Sequence, residues 1–149
     1  MEERSLKESS MEVNRHNPFV RLVGVEIEEV APDRSRLRLA IRPESLNPHG
    51  LVHGGALFTL ADNAAGCAAS TDGRAYVTQS GDIHFLRVQS SGTVVAESRV
   101  LHRGRSTVLV EVSLLGEEGK LMATASFSYF CVDGSEIDRG SPARAARRS

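Results

Sequence analysis

Asn47-Pro48-His49-Gly50-Leu51-Val52-His53-Gly54-Gly55-Ala56-Leu57-Phe58-Thr59-Leu60-Ala61-Asp62-Asn63 is the stretch on which the fold turns. A Pro/Gly-rich turn runs into residues whose apolar members, Leu57, Leu60, Ala61, Ala64, Ala65 and Ala68, recur at helical spacing. That predicts a helix from about His53 to Ser70. Its many Ala and Gly residues would let a sheet wrap closely around it. Asp62 and Asn63 are the only strongly polar side chains between Phe58 and Ser70. The carboxylate is therefore either an exposed charge or a reactive group held in a dry place. The helix start at His53-Gly54-Gly55 offers unpaired backbone N–H groups and a positive dipole end, which suit a polarised carbonyl oxygen.

On either side of this helix the chain reads as strands. Val23 to Val30 and Arg34 to Ile41 are separated by the turn signal Ala31-Pro32-Asp33. In the second, Leu37, Leu39 and Ile41 alternate with Arg36, Arg38, Ala40 and Arg42, a half-buried pattern ended by Pro43. Downstream, Ala75 to Val88, Thr93 to Arg103, Ser106 to Leu115 and Leu121 to Val132 are broken by Gly92, Gly104 and Gly116-Glu117-Glu118-Gly119. Long strands joined by short turns predict an antiparallel meander. The fold class is α+β: one long central helix wrapped by a curved antiparallel sheet of five to six strands.

A short helix is possible over Met11 to Val20, stopped near Asn17-Pro18, within a single domain spanning 11–132. Residues 1–10 are polar without periodicity and are expected to be disordered. The Arg/Ala/Gly-rich tail from Asp133 to Ser149 lacks interleaved aromatics, so a solvated tail is favoured over a nucleic-acid arm. A net charge of −1 over 149 residues gives no global field to recruit nucleic acid or an anionic membrane. No run approaches the roughly 18 apolar residues of a membrane span, and no secretory h-region opens the chain. Cys67 and Cys131 read as buried free thiols, which points to a reducing, cytoplasmic location. No cluster has metal-ligand spacing, so neither metal nor cofactor is expected.

Gly54 and Asp62 project within about 80° of each other around the helix but stand roughly 12 Å apart along its axis. Both cannot reach one reacting carbon within a chain. An antiparallel pairing of two such helices in a symmetric dimer would set Asp62 of one subunit opposite Gly54 of the other.

The segment Asn47 to Asn63, followed by Gly81-Asp82-Ile83-His84-Phe85-Leu86-Arg87, resembles the hotdog-fold acyl-CoA thioesterases of the phenylacetate-degradation (PaaI-like) type. The shared pattern is Asn, five residues, His-Gly-Gly, seven residues, Asp, then a strand ending Phe-Leu-Arg. The resemblance covers about residues 18–132 and implies hydrolysis of an aryl- or medium-chain acyl-CoA to the acid and coenzyme A, in a homodimer that pairs further into a tetramer. It gives Gly54 the oxyanion through its backbone N–H, and Asp62 the role of nucleophile or water-activating base. It makes His53 the group that orients the thioester, where the plain alternative is a helix-entry residue bonding the backbone. Asn47 would hold the water or the carboxylate; Asn before Pro is equally a routine turn.

Thr78 and Ser80 stand two apart on a strand and so are expected on one face; the same resemblance makes them candidates to assist water. Asp82 and His84 continue along that face, with His84 favoured as a cross-strand polar partner. Arg87 and the turn Arg103-Gly104-Arg105-Ser106 are the candidates for the coenzyme A phosphates, against the alternative of an ordinary turn with solvated arginines. Phe58, Leu60 and Ala65 are expected to line the acyl pocket. The rival functions are a non-catalytic acyl-CoA-binding module and a hydratase or dehydratase of the same fold.

Overall fold

The computed structural model describes residues 3–132, with side chains from Leu6 onward; the tail expected from Asp133 lies outside the described residues. Two helices, α1 (Glu3–Arg15) and α2 (Pro18–Val23), lead into strands β1 (Val25–Ala31) and β2 (Arg34–Ala40). The central helix α3 (Gly54–Ala69) follows, then β3 (Ala75–Phe85), β4 (Thr93–Arg103), β5 (Thr107–Leu115) and β6 (Leu121–Val132). All six strands form one antiparallel sheet in the order β1-β2-β4-β5-β6-β3. Of the four downstream strands expected to form a meander, β4, β5 and β6 do so. β3 closes onto the far side of β6 and forms an edge of the sheet.

The described part of the expected disordered start, residues 3–10, is helical. α1 starts at Glu3 and buries Leu6 in the core, against β1. Leu6 is the only apolar side chain between Glu2 and Ser10, so a single anchor left no period to read. Asn17 caps α2 by accepting from the Val20 N–H, with Pro18 in the first turn, where its missing donor costs nothing.

The small residues of α3 face the sheet, and Ala61, Ala64, Ala65 and Ala68 are fully buried against β2, β4 and β5. Two buried serines fix the helix on its bed. Ser35 Oγ (β2) and Ser98 Oγ (β4) both donate to the Ala64 carbonyl, at 2.7 and 3.0 Å, and lie 2.6 Å from each other. Buried hydroxyls must find partners, so this trio ties α3 to one register over the sheet. Leu60 and Ala65, expected in an acyl pocket, are fully buried in this core instead. Phe58 is only partly buried and meets Phe127 edge to face, centroids 5.2 Å apart.

Candidate active site

The turn before α3 is built to present the helix start. Asn47 Oδ1 accepts from the His49 and Leu51 N–H groups at 2.9 and 3.1 Å, so its amide oxygen is spent in the turn. The Val52 N–H donates to Gln89 and the His53 N–H to Ser45 carbonyls, at 2.8 and 2.7 Å. His53 takes the N-cap position, its Nδ1 accepting from the Gly55 N–H at 2.8 Å. Within this chain both residues therefore do the plain job of the two weighed for each. The first helical N–H, that of Gly54, has no partner among the described residues. A Cβ on Gly54 would stand 3.2 Å from the Phe85 ring, so a glycine lets that ring close over the helix start.

Two turns further on, Asp62 is half-buried and turned toward the edge of the sheet. Thr78 Oγ1, on β3, donates to Asp62 Oδ1 at 2.8 Å. Tyr129, on β6, sets its hydroxyl against both Asp62 Oδ1 and the Asp62 carbonyl. Burial, and then the Asp62 charge, push the Tyr129 phenol well above its ordinary range, so it stays a proton donor. Sequence reading missed Tyr129. The signal was there: in β6 it falls on the alternating face of Ala123, Ala125 and Phe127, and a buried phenol needs an acceptor. A hydrogen-bonded carboxylate beside a free sheet edge, on the same helix as an open N-terminus, is the geometry expected of an acyl-transfer site with its oxyanion donor.

Residues 49–123 match the family described as the Thioesterase superfamily. The acyl-coenzyme A thioesterase PaaI of Escherichia coli K12 is 30% identical over 102 residues, which cover 68% of this chain and 73% of PaaI. The chain belongs to the thioesterase superfamily. Solved structures agree. A hypothetical thioesterase of Streptococcus pneumoniae TIGR4, determined with coenzyme A, superposes at TM-score 0.76, with 26% identity over 82% of this chain and 96% of that one. A conserved protein of Pseudomonas aeruginosa gives TM-score 0.74 at 31% identity, over 76% and 93%. The fold is the hotdog fold, and the protein is a thioester hydrolase.

Three expectations about this thioesterase need correction. Thr78 and Ser80 do not share a face. A bulge at Gln79 pairs Thr78 with Tyr129 and Ser80 with the adjacent Ser128, so Thr78 points at Asp62 and Ser80 at the outer surface. Asp82 and His84 follow Ser80 outward, where they pair with each other at 3.4 Å, both largely exposed. Arg103 is committed within the chain. Its guanidinium is taken up by Asp33 (2.8 Å), Asp72 (2.9 Å), the Tyr76 hydroxyl and the Ala68 and Ala69 carbonyls at the end of α3. The Gly104 N–H is likewise used, donating to Thr107 O at 2.8 Å, and the Ser106 carbonyl accepts from Cys131. Arg105 and Arg87 remain exposed. They do not share one mouth within a chain: Arg74, just before β3, bonds the Arg105 carbonyl, whereas Arg87 follows the other end of β3. The eleven residues of β3 set these ends on the order of 30 Å apart.

Proposed function

We propose that the protein hydrolyses acyl-CoA thioesters to the free acid and coenzyme A, as a homodimer with two composite sites. The observation that carries this is the Asp62 carboxylate, anchored by Thr78 and Tyr129 at the open edge of the sheet, while the Gly54 N–H on the same helix has no partner among the described residues. The name of the PaaI relative and the coenzyme A in the streptococcal thioesterase support the substrate class.

β3 is an eleven-residue edge strand with exposed Val77 and Phe85, followed by exposed Leu86 and Val88. An edge so long and apolar calls for a cover. Pairing β3 with its own copy across a two-fold axis runs the two sheets into one and sets the two α3 helices side by side, antiparallel. That arrangement brings Asp62 of one chain toward Gly54 of the other. It also brings Arg87 of one to the same end as the Arg105 turn of the other, where the nucleotide phosphates of coenzyme A would find both. Asp62 acts on the carbonyl carbon, by direct attack or through water, while the partner's helix start takes the developing oxyanion and the thiolate leaves. With its thiols free, the protein fits a reducing, cytoplasmic setting.

The test is free-thiol release from a panel of benzoyl-, phenylacetyl- and medium-chain acyl-CoA substrates. Asp62→Asn and Asp62→Ala should each lower kcat/KM by about 10²-fold or more. Undiminished hydrolysis by both variants would sink the assignment. Binding without hydrolysis of any substrate by the unmodified protein would leave a binding module in its place.

A further inference from the structure

We infer that Tyr129 is a positioning residue for Asp62: with Thr78 it occupies one carboxylate oxygen, Oδ1, and so presents the other, Oδ2, to the thioester. The inference rests on the proposed role of Asp62 and goes beyond it. Both hydroxyls address the same oxygen, Thr78 from β3 and Tyr129 from β6, and among the described residues no donor goes to Oδ2. A carboxylate on a helix can turn about its side-chain torsions. Two donors fixed in adjacent strands stop that rotation and define which lone pairs face out.

Tyr129 is well placed for the task. Only 4% of it is exposed, and its ring lies close enough to Gly66 that a Cβ there would meet the hydroxyl at 3.4 Å. Glycine one turn beyond Asp62 thus makes the room for the phenol under the helix. The same hydroxyl reaches the Asp62 carbonyl, so one group grips both the backbone and the side chain of that residue. A phenol kept protonated by burial donates to the carboxylate and does not compete with it for a proton. Tyr129 and Thr78 therefore act through Asp62, by fixing its orientation.

The experiment compares the full-length protein with Tyr129→Phe, Thr78→Val and Thr78→Ser, using whichever acyl-CoA it hydrolyses best. Tyr129→Phe should lower kcat by about 10- to 100-fold while moving KM less than about threefold, because substrate contacts stay in place. Thr78→Val should lower kcat with the same small change in KM, and Thr78→Ser, which keeps the hydroxyl, should restore it. A Tyr129→Phe enzyme with unchanged kcat overturns the inference. So does a loss of kcat that only follows the loss of folded protein, judged by circular dichroism and thermal midpoint. Should Tyr129→Phe fail to fold, the Thr78 pair decides alone by the same criteria. Activity surviving in Asp62→Asn would instead refute the role of Asp62 itself, a separate result.

Discussion

Gly81 measures how tightly the edge strand is drawn onto the core. A Cβ at this position would stand 2.5 Å from the Phe127 ring and 3.0 Å from Phe58. Phe127 is fully buried and cannot step aside, so the missing side chain is a packing requirement. Gly81→Ala should cost about 1–3 kcal/mol by overpacking, read as a lowered denaturation midpoint; an unchanged midpoint would show that the ring moves freely. At this scale the sequence was partly legible. Gly54, His53 and Asp62 stood out because one helix carries them at countable spacing. Tyr129 did not, because its partner lies 67 residues earlier and only the folded sheet brings the two together. Asn47 and His53 were visible, but their backbone roles depend on donors that a spacing pattern does not specify.

Among the elements, the strands and the central helix were legible almost to their ends, since period-two alternation and glycine breaks mark them directly. α1 was not, for want of a second apolar anchor in its first two turns. The junction at the end of α3 was also misread, because Arg103 beside Gly104 looks like a phosphate-binding turn in one dimension. In three, it staples β4 to the β1–β2 turn through Asp33, to Asp72, and to the last carbonyls of α3, where a cation also opposes the helix dipole. Arg103→Met removes the one donor these acceptors share, leaving Asp72 with Arg74 and Tyr76 alone, and should lower stability by about 1–3 kcal/mol, whereas Arg105→Met should be neutral. The staple also responds to acid. Burial alone would raise the Asp72 carboxyl, but hydrogen bonds from Tyr76 and Arg74, with the Arg103 charge, hold it down to about 2 against the ordinary 3.8. A depressed folded value favours the native state above the unfolded pKa and loses that advantage as pH falls through the folded one. Denaturant midpoints of the unmodified protein should therefore drop between about pH 4 and pH 2, and less steeply in Arg103→Met. Equal slopes would show that the pair is not coupled to folding.

At the scale of the whole molecule, the proposed dimer makes a sharp demand: neither chain holds a complete site. Gly54→Pro removes the N–H at the first helical position, where proline is tolerated; the extended His53 before it (φ −67°, ψ 136°) suits its backbone, and the exposed Phe85 ring has to give slightly to admit its Cβ. Asp62→Ala removes the carboxylate. Each variant alone should be inactive. Co-refolded in equal amounts, half of the dimers would be mixed, each with one intact site of two, giving about a quarter of the original activity. No recovery, with mixed dimers demonstrated by mass, would place the whole site within one chain. The proposal of a partner was open to sequence reading, from the two-turn separation along α3. The edge proposed to pair was not, because which strand ends a sheet is decided by topology and leaves no mark on its residues.

The bulge at Gln79 has a consequence for how such chains diverge. One extra residue decides which hydroxyl of β3 faces Asp62: with the bulge it is Thr78, while Ser80 looks outward. Insertion or deletion of a single residue in this strand would exchange inner and outer faces beyond that point and leave the rest of the fold untouched. Chemistry at the edge can thus migrate along the chain faster than the architecture that supports it. In a chain without the bulge, counting residues from the central helix would misplace the group that faces Asp62, whereas the hydrogen-bond ladder with β6 would still locate it.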